Sequence, residues 1–352
     1  MRGTSLGRLG RTGVEWFHGP VSEELRSLSQ VMRDADGLLS AGRRATAWTW
    51  PTGFGLLDTY LGGGIRAGEL CLLGGPQGLG KTTFALQIAR NVTRTGGACA
   101  MLSYEHDATT LLERLVALEA GELLGVDGVP LRRVREALED VSLNSGSMED
   151  RLAGTLGGAE AVAEVRTYAE RLLFHRSLGS MTDLDAIRQV VKETVDRTER
   201  RPLVIVDYLQ KVFVPKMPVE DERVTVVVEG LKDLALDLEV PVLAIVAADK
   251  EGLGPGRRVR VHHLRGSSAL AYEADIVLML NDKYDIVARH HLMFDPTNAD
   301  RFRQYVVLSV EKNRSGLDRI DLQLRKRFEQ SRYETDALAV DEQLIDDRVF
   351  KE

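Results

Sequence analysis

The stretch Leu72–Ala89, LLGGPQGLGKTTFALQIA, decides how this chain is read. An apolar run from Gly68 to Gly75 (GELCLLGG) leads into it and predicts a buried strand, and a helical pattern starts at Lys81. Between them Gly75, Gly80, Lys81 and Thr82 satisfy G-x-x-x-x-G-K-[ST] in full, in the strand–loop–helix setting a phosphate-binding loop requires. Glycines let backbone amides approach phosphate oxygens, and the helix N-terminus adds partial positive charge. The predicted cradle is therefore Gly75, Pro76, Gln77, Gly78, Leu79, Gly80, Lys81, Thr82 and Thr83. In it Lys81 reaches the outer phosphates and the Thr82 hydroxyl holds the metal, so ATP and Mg²⁺ are the expected cofactors.

Outward from this loop, apolar runs alternate with helical patterns. Strands are predicted at Gly97–Glu105, Arg171–Ser177, Arg201–Gln210, Val240–Ala248, Ala274–Asn281, Tyr305–Asn313 and Ile320–Lys326. Helices are predicted from Lys81, from Ala108, from a cap at Thr182 or Asp183 to Glu199, and over Glu220–Leu238. Continuous apolar strands separated by helices imply an α/β fold with a mainly parallel sheet covered on both faces. The last strands lack long intervening helices, which predicts antiparallel edge strands.

A Mg²⁺ site needs a carboxylate at the end of a nearby apolar strand, and Asp207 closes PLVIVD in that way. Glu105, after ACAMLS, reaches the same edge and can polarise an attacking water; as a rival, it is a first-turn acid favouring the next helix.

The 352 residues carry a net charge of -7, with 43% hydrophobic residues, which argues against a protein coated in positive charge but leaves room for a local basic groove. Cys71 and Cys99 sit in apolar runs and read as buried thiols of a reducing compartment. No apolar run reaches the length of a membrane span, so a cytoplasmic protein with no membrane partner is expected. Near the N-terminus, Leu25, Leu28, Val31 and Met32 fall at helical spacing behind a candidate cap, Ser22.

The stretches TGFGLLDTYLGGGIRAGEL, GPQGLGKTTFALQIA, LSYE, VIVDYLQ, LRGSSALAYEADIVLML and EKNRSG, in that order between Thr52 and Arg327, resemble the RecA-like core of the DnaB-type replicative helicases. The opening motif alone is shared with KaiC-like and RadA-like ATPases. The resemblance implies a RecA-like P-loop ATPase core, placed over residues 45–333, and a linker-type helix in the N-terminal extension (1–44); by composition the remainder, 334–352, is expected to be a peripheral acidic tail. It implies an ATP hydrolase and 5′–3′ DNA helicase, acting as a homohexamer on single-stranded DNA. Glu105 takes the catalytic glutamate position. Lys312 and Arg314 take that of a Lys-x-Arg element reaching a neighbouring subunit's nucleotide, where a guanidinium stabilises charge on the transferring phosphoryl group. Arg114 matches an arginine near the base. Arg257, Arg258 and Arg260 fall in the loop that lines the channel, and Arg265 matches a phosphate-touching position.

Departures are also visible. The family's Ser-Gln sensor pair is replaced in the run Val246, Ala247, Ala248, and its acidic residue after the DNA-contacting arginine by Gly266. Only about fifty residues precede the core motif, too few for the primase-binding domain of replicative helicases with its linker. These departures open an alternative: a nucleotide-gated regulator or assembly ATPase with a protein partner. His262–His263 and His290–His291 are adjacent pairs; neighbours in a strand would point to opposite faces, so no metal site is expected from them.

Overall fold

The computed structural model describes residues 25–42, 48–140, 146–249, 257–266, 268–293 and 297–345. The chain divides into two compact units, 1–47 and 48–352. In the first, α1 (Leu28–Ser40) starts at Ser27, whose hydroxyl accepts from the Gln30 amide while the Gln30 side chain accepts from the Ser27 amide. This capping box places the start later than a cap at Ser22, which lies outside the described residues.

The second unit opens with a two-stranded antiparallel ribbon of β1 (Thr49–Trp50) and β2 (Ile65–Arg66), with α2 (Gly55–Tyr60) between them in sequence. Then follow β3 (Leu70–Gly74), α3 (Lys81–Arg94), β4 (Ala98–Ser103) and α4 (Ala108–Leu124). Three further helices, α5 (Leu131–Glu139), α6 (Met148–Leu152) and α7 (Gly158–Tyr168), precede β5 (Leu172–Arg176). Next come α8 (Leu184–Thr198), β6 (Pro202–Asp207), α9 (Glu220–Leu238), β7 (Val242–Ile245), α10 (Ala269–Glu273) and β8 (Ile276–Asp282). Short helices α11 (Lys283–Ile286), α12 (His290–Met293) and α13 (Thr297–Phe302) lead to β9 (Tyr305–Asn313), β10 (Ile320–Arg327), β11 (Arg332–Tyr333) and β12 (Leu338–Ala339).

Among the described residues the main sheet runs β11-β10-β9-β8-β3-β7-β6-β4-β5, with β12 added to β10. The six strands from β8 to β5 are parallel, and β9, β10 and β11 add antiparallel pairs at one side. Side chains alternate across this sheet. Cys71, Leu73, Leu203 and Ile205 pack with α3 and α4 residues on one face, and Leu70, Leu72, Val204 and Val206 pack with α9 on the other. Burial on both faces is why the central strands read as unbroken apolar runs. Cys71 and Cys99 are free and buried within it.

The C-terminal segment, expected from its composition to form a separate acidic tail, packs in its described part on the second unit. β12 pairs with β10, the Ile345 amide donates to Ile286 O at 2.7 Å, and Glu342 neutralises the buried Lys283 at 2.6 Å. An acid that balances a buried ammonium is a packing residue, which sequence composition does not distinguish from a solvated one.

A buried ion pair locks the loop-bearing helix to its neighbour. Arg90 of α3 donates from Nε to Glu119 of α4 at 2.6 Å, and Tyr168 of α7 donates its hydroxyl to the same carboxylate at 2.7 Å. Glu119→Ala leaves the buried Arg90 charge with only the longer contact to Glu122 at 3.7 Å, a loss of about 3 kcal/mol of unfolding free energy, the lower end of the range for breaking a buried pair. Urea denaturation checks this, and an Arg90→Met/Glu119→Leu/Tyr168→Phe triple variant, which leaves no member of the cluster unpaired, should recover most of the loss.

Candidate functional site

The carboxyl ends of β3, β4, β6 and β7 lie along one edge of the sheet, and the loop between β3 and α3 sits there. Its shape depends on glycine at two points. Gly75 has φ +142 and an added Cβ would stand 2.5 Å from Leu280 O; Gly80 has φ +73 and its Cβ would meet the Tyr333 hydroxyl at 2.8 Å. Gly80 caps α3 with no side-chain hydrogen bond, so the first-turn amides of the helix remain for a ligand. Lys81 folds over the loop and donates to Gly75 O and Pro76 O, each at 2.8 Å.

Two strands along from β3, Asp207 ends β6 buried, and the Thr82 hydroxyl donates to its carboxylate at 2.8 Å. Burial above all pushes the Asp207 carboxyl up to about 6, and Glu105 adds to this while the Thr82 hydroxyl and Lys81 pull the other way. Burial lowers the Lys81 ammonium, against the pull of Asp207 and Glu105. Glu105 itself is exposed just beyond β4. Arg114 of α4 comes to 3.5 Å of Thr83 Oγ1 and of His106 Nε2, and its buried Nε has no hydrogen-bond partner. These donors fit a magnesium polyphosphate: an ammonium and open helix amides for the phosphates, and a hydroxyl beside a carboxylate for the metal.

Arg314 and Lys312 do not join this group. Arg314 follows β9, whose residue Asn313 is in register with Ile276, the first residue of β8. Its guanidinium donates to Asp275 Oδ1 at 3.1 Å and to Tyr272 O at 2.6 Å, and Lys312 donates to Ala271 O at 2.8 Å. This is the amino end of the parallel strands. The length of β3, roughly 15 Å, separates it from the loop. Arg314 thus points away from the phosphate site of its own chain.

The expected basic lip is only partly there. Arg258 is 4% exposed and binds Ser309 at 2.8 Å and the Asp321 carboxylate. It is a core ion-pair residue and cannot line a channel. Arg260 pairs with Glu311 at 2.7 Å. Arg257 is exposed, and the glycines at 250–256 lie outside the described residues. Arg265 is half-exposed and held by both oxygens of Glu220, each at 2.9 Å.

Three features escaped the sequence reading. Asp275 is a buried hub at the amino edge that also accepts from the Leu70 amide at 2.8 Å and from Lys232 at 2.7 Å; an acid opening an apolar strand was the available signal. Phe328 and Tyr333 cover the loop from the C-terminal strands, and Tyr333 donates its hydroxyl to Leu79 O. Gln210 binds Arg265 O at 2.9 Å.

A phosphate-binding loop and a strand-end carboxylate, both at the carboxyl edge of a parallel sheet, define a RecA-like P-loop protein. The model of the DnaB-like helicase C terminal domain matches residues 50–334, and the chain belongs to that family. The replicative DNA helicase DnaB of Rickettsia bellii is 24% identical over 310 residues, which cover 81% of this chain and 54% of the relative. The replicative DNA helicase DnaC of Bacillus subtilis is 28% identical over 251 residues, 67% of this chain and 48% of the relative. The chain thus spans about half the length of these relatives. Among solved structures, one of an isolated ATPase domain gives a TM-score of 0.68 at 19% identity, covering 88% of this chain and 99% of that one. A DnaB-like replicative helicase, whose structure describes its interactions with primase, gives 0.67 at 19% identity, covering 89% and 68%. These two likenesses show the fold.

The burial of Arg258 makes a testable distinction. Arg258→Ala should cost about 1.5–3 kcal/mol of stability in chemical denaturation, the range for hydrogen bonds to charged groups. An unchanged denaturation midpoint would return Arg258 to the surface.

Proposed function

We propose that this chain is an ATP-dependent DNA translocase of the DnaB-like helicase type, hydrolysing Mg²⁺–ATP in a ring of identical subunits around single-stranded DNA. One observation carries this reading. The phosphate loop and the Lys312–Arg314 pair occupy opposite edges of one sheet, so any nucleotide that Arg314 serves is held by another copy of the chain. Membership of the DnaB-like family supports the ring, the ATP hydrolysis and the DNA-replication setting. No helix among the described residues is long and apolar enough to cross a membrane.

The roles follow from placement. Bound Mg²⁺–ATP supplies the phosphoanhydride to be cleaved and the cation that offsets its charge. Lys81 and the amides of the loop hold the outer phosphates, with Thr82 and Asp207 toward the metal. Glu105, exposed at the same edge, accepts a proton from the attacking water. Arg314 of the adjoining copy stabilises charge on the transferring group, and Lys312 beside it adds positive charge. Arg114 lies toward the base. Arg265 leads the contact with DNA phosphates, assisted by Arg257. For Arg265 this requires exchanging the Glu220 carboxylate for a phosphate, a change between two exposed pairings that costs little.

Ala247 in the sensor position and the acidic partners of Arg260 and Arg265 favour a second reading, an ATP-gated assembly factor that acts on a protein. ATP-driven assembly without affinity for single-stranded DNA would select it. Under the leading reading, single-stranded DNA raises ATP turnover at low salt, and turnover independent of DNA would overturn it. Arg314→Ala should leave nucleotide binding intact and slow turnover by about 10³-fold or more, as expected for an arginine finger. Mixing it with Glu105→Ala protein should restore part of the activity, because hybrid sites join an intact loop and glutamate to an intact arginine. Mixtures no more active than the separate variants would exclude shared sites.

A further inference from the structure

The metal-holding strand and the DNA-contacting segment meet at a single buried side chain. Gln210 stands three residues after Asp207, in the turn that ends β6, and is 6% exposed. Its Oε1 accepts from the Ala247 amide at 3.2 Å, and its Nε2 donates to Arg265 O at 2.9 Å. Both ends of the amide are therefore used, one on each side of a short antiparallel pairing. In that pairing the Arg265 amide donates to Ala247 O at 2.9 Å, Ala248 bridges Leu264, and the Asp249 amide donates to His263 O at 2.8 Å. The same β7 extension is anchored to the phosphate-loop strand, since the Val246 amide donates to Leu73 O at 2.9 Å.

Ala247 has no side chain that can hydrogen-bond, so it cannot sense a nucleotide directly. The Gln210 amide reaches its backbone instead. A buried amide with both ends paired is costly to disturb, because any shift leaves a donor or an acceptor unsatisfied. A movement of the Asp207 strand end on loss of the outer phosphate would thus shift Ala247 and Arg265 together. We infer that Gln210 is a positioning residue that couples the nucleotide state at Asp207 to the DNA-contacting segment at Arg265, in place of a side-chain sensor at position 247. This rests on the DNA-translocase reading above.

The test measures ATP turnover with and without saturating single-stranded DNA, together with DNA affinity by fluorescence anisotropy, on the full chain. Gln210→Leu should keep unstimulated turnover and DNA affinity near those of the unaltered protein, while the stimulation ratio falls by roughly threefold or more, the size of change expected for a coupling residue. If Gln210→Leu does not fold, Gln210→Glu serves. It keeps the acceptor for Ala247 and removes the donor to Arg265, and it should lose stimulation in the same way. Combined with Arg265→Ala, the Gln210 substitution should add no further loss of stimulation. Stimulation equal to that of the unaltered protein would overturn the inference, as would loss of DNA affinity in step with loss of stimulation, which makes Gln210 a builder of the site only. If the unaltered protein is not stimulated by DNA, the translocase reading fails first and the inference with it. The two failures are told apart by which protein shows them.

Discussion

The hydrogen bond from Thr82 to Asp207, 2.8 Å long, joins the first turn of α3, the helix that follows β3, to the end of β6, which lies two strands from β3 in the sheet. The functional edge is arranged around it. It requires β3 and β6 to run in the same direction and to end at the same level, with β7 between them, so the parallel order of the central strands is a precondition of the site. It also requires a buried carboxylate, which burial pushes toward its neutral form and which the hydroxyl, ammonium and guanidinium around it draw back. A cation bound there would meet a ligand already oriented. The buried Arg90–Glu119–Tyr168 cluster serves the same end by fixing α3, which carries Lys81 and Thr82, against α4, which carries Arg114.

The opposite edge has its own centre in Asp275. Its carboxylate and carbonyl hold the start of β3, Lys232 of α9 and both the backbone and the guanidinium of Arg314. A strand has a direction, and here that direction separates the phosphate loop from Lys312 and Arg314. Under the proposed function, the covalent order of the chain gives the subunit an acceptor edge and a donor edge, the arrangement a head-to-tail assembly needs. To reach another copy, the half-exposed Arg314 side chain must leave both the buried Asp275 carboxylate and Tyr272 O, while Asp275 keeps Lys232 and the Leu70 amide as partners.

Much of this was legible in the amino-acid order, for physical reasons that differ by element. The central strands declare themselves by unbroken apolar runs because both faces are buried. α3, α8 and α9 start where the loop glycine, the Asp183 cap and the acidic first turn place them. The loop is legible because its glycines answer steric demands that no other residue meets. The helices α5–α7 were not predicted; they follow a helix already recognised, and each is short. Arg258 misled because a Gly- and Arg-rich stretch looks solvated, whereas its guanidinium reaches Asp321 and Ser309, which lie in strands distant in sequence. Gln210 gave no local signal of its role and Asp275 only that of an acid opening an apolar strand, since each acts through partners between 37 and 205 positions away.

If the two edges complete each other between copies, catalysis belongs to the assembly and not to the chain. Specific ATP turnover measured across a dilution series, with the mass of the species followed in parallel, tests this most directly. Turnover per subunit should collapse as the assembly dissociates, down to the level of the Arg314→Ala protein, while the isolated subunit still binds nucleotide. A monomer that hydrolyses ATP at the full rate would contradict shared sites.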